Sequence, residues 1–308
     1  MDYKKWFSEN THSLKGKTVA VTGSTGGLGV ELCKHLAELQ ADLLLLNRSE
    51  AKTLEQIAEL KNNFGDLNIR FIPLDLSDML SVKSAVDMLI ENCPDFLIHN
   101  AGAYSIPRYT TLAGVDNVFQ INFLAPYYIT RSLLPALSKK GGRVVAVGSI
   151  AHNYSKTNAN DIDFVSVKAA SRVYGNAKRY LMLSLYELFK TEHSASLSVV
   201  HPGITFTNIT AHYPKVIFAV IKHPMKIIFM KPKKAALCIL KGIFDDTRFA
   251  EWIGPHFFDI WGLPSKKKLN TFKVCESEFC FKTAEQLFSD LNNLKENENG
   301  KTHYSLEA

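Results

Sequence analysis

Short unbroken runs of apolar residues alternate along this chain with stretches whose apolar positions recur every three or four residues. The first pattern suits strands buried on both faces, and the second suits helices with one face on a core. In order, the patterns predict a strand at Thr18-Val19-Ala20-Val21, a helix from Val30 to Leu39, a strand from Asp42 to Leu46 and a helix from Ala51 to Asn62. A strand from Ile69 to Leu74, a helix from Leu80 to Glu91 and a strand from Asp95 to Ile98 follow. The second half gives a long helix from Thr111 to about Leu137, a strand from Arg143 to Gly148, a helix from about Ala170 to Lys190 and a strand from Leu197 to His201. A helix through Lys233 to about Phe244 and a strand near Ala250 to Ile253 close the series. Such alternation predicts an α/β fold built on a doubly wound parallel sheet with helices on both faces. One domain covers residues 1–265. Residues 266–308 read as a C-terminal appendage, with a short helix near Thr283 to Leu294 and a polar, disordered tail.

Ligands of a doubly wound sheet sit outside the carboxyl ends of its strands, so the residues there carry the chemistry. After the first strand comes Thr22-Gly23-Ser24-Thr25-Gly26-Gly27-Leu28-Gly29 and then a helix. Glycines allow a tight turn and a close approach of pyrophosphate, and the helix N-terminus offers free N–H groups with a positive dipole end. Gly23, Ser24, Thr25, Gly27, Leu28 and Gly29 are therefore candidate dinucleotide contacts. The second strand ends at Asn47-Arg48-Ser49, where an NAD site would carry an Asp or Glu for the ribose hydroxyl. Arg48 suits a 2′-phosphate instead and points to NADP(H) over NAD(H), although an Arg at a strand end can also simply face solvent. Asp75 and Leu76, and the Asn100-Ala101-Gly102 turn, fall at the ends of the next two strands and are candidates for the edge of the same site.

Composition narrows the class. The 308 residues are 46% hydrophobic and 21% charged, which suits a globular core. A net charge of +6 and a pI near 8.9 come from scattered lysines and arginines, a pattern that argues only weakly for nucleic acid. The five cysteines have no metal-ligand spacing, so no metal is expected, and reduced thiols in a cytoplasmic setting fit them best. The first residues contain no signal-peptide pattern, and no apolar run reaches the length of a membrane span.

Tyr174 and Lys178 lie four apart in the helix from Ala170 and so share one face. A cation beside a phenol lowers its pKa from about 10 and can turn it into a usable acid or base. A Tyr and a Lys at this spacing also occur as an ordinary surface pair, and the company they keep decides between the two. Ser149 closes the strand from Arg143, at the height of the crevice. Asn122 lies in an apolar helix, where an Asn needs a hydrogen-bonding reason.

Thr22-Gly23-x-x-x-Gly27-Leu28-Gly29, Asn100-Ala101-Gly102, Asn122, Ser149, Tyr174-x-x-x-Lys178 and Pro202-Gly203 occur in the order seen in the short-chain dehydrogenase/reductase superfamily. The chain resembles that superfamily from roughly Lys15 to Phe249. Asn47-Arg48, Ser149-Ile150-Ala151-His152 and the insertion before Tyr174 look like its retinol-dehydrogenase-like, NADP-linked carbonyl reductases. The resemblance implies a Rossmann-type oxidoreductase that interconverts a ketone or aldehyde and its alcohol. Tyr174 would be the general acid or base, Lys178 would lower its pKa and hold the nicotinamide ribose, Ser149 would position the carbonyl, and Asn122 would hold a relay water. Pro202 and Gly203 would turn over the nicotinamide, with Thr207 on its carboxamide or the phosphates. His152 reads as a loop-ordering residue. Gly148 departs from the pattern, since many relatives carry a second Ser there, and so does the polar insert from Asn153 to Asp163. NAD-linked oxidation of a secondary alcohol and a non-catalytic dinucleotide sensor are the alternatives. Relatives often dimerise through the helices holding Asn122 and Tyr174, so a homodimer is a candidate assembly.

Residues about 206–231 concentrate Ile, Val, Phe and Met on both sides of Pro224, where this family places its substrate lid. That predicts a hydrophobic substrate and is compatible with peripheral contact at a membrane interface, lysines at headgroup level. A pair of core helices would give the same pattern.

Overall fold

The computed structural model describes residues 3–192, 194–204 and 230–293. Helix α1 (Tyr3–Asn10) precedes β1 (Thr18–Thr22), α2 (Gly27–Glu38), β2 (Asp42–Asn47), α3 (Glu50–Phe64), β3 (Ile69–Pro73), α4 (Met79–Glu91) and β4 (Phe96–His99). Then come a short α5 (Asn117–Phe119), a π-helical turn (Gln120–Leu124), α6 (Ala125–Lys140), β5 (Arg143–Val147) and a 3-10 turn (Ile150–Tyr154). Helix α7 (Ala170–Leu188), β6 (Ser196–Val200), α8 (Pro232–Phe244), β7 (Glu251–Phe257), β8 (Trp261–Lys268) and α9 (Val274–Asn293) complete the described chain.

The eight strands form one sheet in the order β3-β2-β1-β4-β5-β6-β7-β8, parallel through β7. Chain direction reverses its progress across the sheet between β1 and β4, so the crevice opens there, outside the ends that carry Gly23 and Asn100. The central strands are buried on both faces, as their unbroken Val, Ile and Leu runs require. One apolar layer, with Phe119, Phe123, Tyr127 and Tyr180, packs under α4, α6 and α7; the other, with Leu32, Leu36, Leu237 and Leu240, packs under α2 and α8.

Three elements differ from the sequence pattern. The long helix expected from Thr111 begins only at Asn117, because Asp116 caps it, accepting from the N–H groups of Val118 and Phe119. The final strand is not the edge: β8 pairs antiparallel with β7 through a turn in which Phe258 and Asp259 both have positive φ. A boundary at residue 266 would therefore cut β8. The helix expected near Thr283 spans Val274–Asn293, and its Cys280, Ala284, Leu287 and Leu291 join the core. It lies across α6 and α7, where Glu285 accepts from Tyr127 and pairs with Arg131 at 3.0 Å, so α9 covers part of the surface of the two helices named for a homodimer. The expected lid falls almost wholly outside the described residues; at its end, Met230 is buried and donates its N–H to Ile204 O.

Burial lowers the pKa of His99 to about 3, of His152 to about 4 and of His201 to about 3. The unfolded imidazoles titrate near 6.5, so between pH 6.5 and about 4 the unfolded chain binds more protons and stability falls as pH falls. Each histidine then contributes a slope of about 1.4 kcal/mol per pH unit. Denaturant midpoints taken from pH 7 to 5 should drop accordingly, and His99→Asn should remove one histidine's share of the slope. A slope untouched by that change would place the acid sensitivity elsewhere.

Candidate active site

The glycine turn after β1 is fixed by sterics. Gly23 has φ +67°, and a Cβ there would meet Ala101 Cα at 2.9 Å; a Cβ on Gly29 would meet Gly23 O at 2.3 Å. The turn therefore folds against the 100–102 turn, and Thr22 Oγ1 pins the two by accepting from the N–H groups of Asn100 and Ala101. Asn100 returns two bonds, donating to Thr22 O and Gly23 O. Gly26 and Gly27 open α2 with no side-chain cap on its N-terminus, which leaves its first N–H groups aimed at the crevice.

A cavity of about 690 Å³ runs along the strand ends. From the glycine turn it is lined by Gly23, Thr25, Gly27, Leu28 and Gly29, and along the β2 and β3 ends by Arg48, Asp75 and Leu76. Asn100, Ala101 and Gly102 line its middle; Ser149, Tyr174, Lys178, Pro202 and Gly203 line the far end. Ser24 does not line it. Its hydroxyl is fully buried, donating to Gln56 Oε1 and accepting from Asn47 Nδ2, both at 2.7 Å, so it braces the turn from behind. Asp75 uses Oδ1 to accept from Ser77 N and Oγ, closing the turn before α4. Thr207 lies outside the described residues.

Asn122 sits in the π-helical turn, a kind of insertion that often marks a functional site. Both its amide protons are used, on Ala103 O and Val118 O at 2.8 Å, and Oδ1 accepts from Ala103 N at 3.2 Å. Its side chain thus holds the 100–103 loop in place. It does not itself line the cavity.

At the reacting end, Lys178 is 2% exposed and donates to the carbonyl of Val147, the last residue of β5, at 2.8 Å. Burial lowers its pKa to about 8. Its Nζ lies 5.8 Å from the centre of the Tyr174 ring. Burial pushes the Tyr174 phenol up to about 12, with a hydrogen bond to Ser149 drawing it partly back and Tyr104 adding to the rise. The expected lowering by Lys178 is not what this arrangement gives: the ammonium is turned to the β5 carbonyl, and desolvation of the phenolate outweighs it.

Helix α7 approaches the serine loop closely because of Gly175. A Cβ there would meet Ala151 O at 2.2 Å. Gly148 is explained in the same way: a Cβ would meet Met182 Sδ at 2.8 Å, so the second Ser of many relatives has no room unless Met182 moves. Sequence reasoning missed Lys52, in the first turn of α3 beside Arg48, and Tyr104 and Tyr154, which line the cavity near Tyr174. The fourth position after a strand-end Arg, on a helix entering the crevice, was the available signal for Lys52; nothing in spacing singles out the tyrosines.

The profile of the short chain dehydrogenase family matches residues 17–215, and the chain belongs to that family of oxidoreductases, which bind a nicotinamide dinucleotide. Human polyprenol dehydrogenase is 28% identical over 207 residues, 64% of this chain and 63% of that protein. Mouse retinol dehydrogenase 12 is 29% identical over 202 residues, 64% of each. The chain thus aligns with somewhat less than two thirds of the length of these relatives. A solved structure, an uncharacterised protein of Mycobacterium paratuberculosis, superposes with a TM-score of 0.72 over 98% of this chain and 99% of that one at 22% identity, a likeness of fold. Among the described residues no cluster of His, Cys, Asp or Glu could hold a metal ion, and no helix is long and apolar enough to cross a membrane.

Gly175→Ala should force the serine loop off α7. Overpacking of this kind costs about 1–3 kcal/mol, read as a lowered denaturant midpoint, and a variant as stable as the parent would show that the loop can give way.

Proposed function

We propose that the chain is an NADP(H)-dependent reductase of a ketone or aldehyde on a hydrophobic substrate. The observation that carries this is the convergence of Ser149, Tyr174 and Lys178 on one end of a cavity whose other end is a glycine cradle. The cradle fits a dinucleotide: Gly23 and Gly29, where a Cβ would strike Ala101 and the Gly23 carbonyl, let the turn close tightly, and the N-terminus of α2 opens onto the cavity. Gly23 to Gly29 would hold the pyrophosphate, Asn100 to Gly102 the middle of the cofactor, and Lys178 with Pro202 and Gly203 its nicotinamide end. When bound, the nicotinamide supplies hydride. Ser149 donates to the substrate carbonyl oxygen and orients it, and Tyr174 delivers a proton to the same oxygen as negative charge builds there. Burial raises the phenol of Tyr174 and keeps it in the protonated form that can donate. Lys178 offers its remaining ammonium protons to the cavity side, since one is held by Val147.

Arg48 and Lys52 line the cavity together and Glu50 does not, so the β2 end presents two cations and no carboxylate to a ribose. That supports a 2′-phosphate. Tyr104, Ile106, Ile150 and Tyr154 form the wall near Tyr174 and support a large apolar substrate. The aromatic tip of the β7–β8 turn, where Phe258 is 83% exposed, lies beside Gly203 and suits delivery of such a substrate from a membrane interface.

Tyr174→Phe should lower the rate of NADPH oxidation with decanal or citral by about 10² to 10⁴-fold while leaving NADPH binding nearly unchanged. More than a tenth of parental turnover would refute the proton-donor role. Arg48→Ala should weaken NADPH about ten- to a hundredfold, the equivalent of one charge-assisted bond, with Lys52→Ala acting in the same direction and NADH little affected. Fluorescence titration showing equal losses for both cofactors would remove the 2′-phosphate assignment.

A further inference from the structure

The loop that carries Ser149 is held from behind by residues far along the chain. The Ser149 carbonyl accepts two bonds from His152, one from its main-chain N–H at 3.1 Å and one from ring Nδ1 at 2.6 Å. A ring nitrogen bonded to a carbonyl carries the proton, so Nε2 is the acceptor, and the Thr271 hydroxyl lies 3.4 Å from it. His152 is wholly buried, with Trp252 edge-on at 5.4 Å and Phe272 at 5.0 Å. Next to it is Arg179, the residue after Lys178 and itself 4% exposed. Its guanidinium donates to His152 O at 3.3 Å and Thr271 O at 3.1 Å, and grips both oxygens of Glu276 at 2.5 Å. Glu276 also accepts from the N–H and hydroxyl of Thr157, just beyond the serine loop. Burial works to raise the Glu276 carboxyl, but the bonds from Arg179 outweigh it and hold it below the usual range.

We propose that the buried Arg179–Glu276 pair, acting with His152, is a positioning device by which the start of α9 sets the attitude of Ser149 against Tyr174. The inference rests on the role given to Ser149 above and deepens it. A buried ion pair is a poor way to gain stability, since well-packed apolar side chains of similar volume often do as well. What apolar side chains cannot do is direct N–H groups at two chosen carbonyls. The guanidinium does this at His152 and Thr271, and His152 passes the constraint to Ser149. From the other side, Gly175 lets α7 press on Ala151 O. The loop is therefore held between a tether and a wall, and a displacement of about 1 Å at a substrate-orienting group can cost about a hundredfold in rate. Thr271 and Glu276 lie outside the 17–215 family match while His152 and Arg179 lie within it, so the device joins the family's core to the C-terminal segment of this chain.

The test uses the full chain, decanal with NADPH, a thermal midpoint and NADPH titration for each variant. His152→Leu should lower kcat about ten- to a hundredfold with NADPH affinity within about twofold, and His152→Asn, whose amide can replace the Nδ1 donor, should recover most of the loss. The double change Arg179→Met with Glu276→Leu should keep a thermal midpoint near the parent and still show the low kcat. Recovery of kcat along with stability in the double variant would overturn the proposal, as would a folded His152→Leu protein with more than half of parental kcat. Ser149→Ala, measured alongside, separates the failures. If it spares kcat, the role of Ser149 falls and the tether with it; if it abolishes turnover while His152→Leu does not, only the tether falls.

Discussion

A buried ammonium ties the reacting helix to the sheet. Lys178 reaches the carbonyl at the end of β5, and that bond joins α7 to the sheet at the crevice, on a helix whose Ala177, Tyr180, Leu181 and Leu185 are buried in the core. Its partners follow from it. With Lys178 seated, Tyr174 one turn earlier is presented at the cavity wall, and Gly175 must lack a side chain because the 3-10 turn after β5 is pressed against it. Ser149 begins that turn and caps it with its own Oγ, which accepts from Ala151 N. Strand end, helix depth and serine loop are one mechanical unit, and the strand register from β4 through β6 sets where it stands.

The polar side chains around the crevice divide by what they are already bonded to. Ser24 and Asn122 look as chemical as Ser149 in the sequence, yet their hydrogen-bonding groups are turned into the fold, where they hold the glycine turn and the 100–103 loop. Thr22, the first residue of the glycine run in the sequence, joins those two turns directly. Bonds of this kind hold the cradle rigid, because the hydroxyl of Ser24 and the amide of Asn122 are spent inside the fold and do not compete for the ligand.

Strands β1 to β7 and the helices between them were legible because a doubly wound sheet writes itself as continuous apolar runs and periodic faces. The places of the glycine turn and Ser149 at strand ends, and of Tyr174 and Lys178 four apart on one helix, were legible for a related reason: backbone geometry sets their spacing. What was not legible depends on contacts between distant segments. The β7–β8 hairpin turns on Phe258 and Asp259 with positive φ, without the Gly or Asn that signals such a turn. The first turn of α9 carries Glu276 and Ser277, polar residues that read as solvent-facing until Arg179 and Glu187 are placed opposite them. His152 could be assigned to loop ordering from the sequence, but not what it orders.

The ionisation of the pair also had to come from three dimensions. Spacing alone gives a phenol beside a cation and predicts an acidified tyrosine. Burial reverses that prediction, because removing water penalises both charged forms and moves the two groups toward neutrality from opposite sides, Tyr174 upward and Lys178 downward. A phenolate here would need a closer cation than the one that β5 has taken. A protonated phenol needs nothing further, and it becomes a good donor only when a more basic oxygen is brought to it. In the proposed reduction, proton transfer from Tyr174 would therefore wait on charge developing on the substrate oxygen, with no need for the phenol to ionise beforehand.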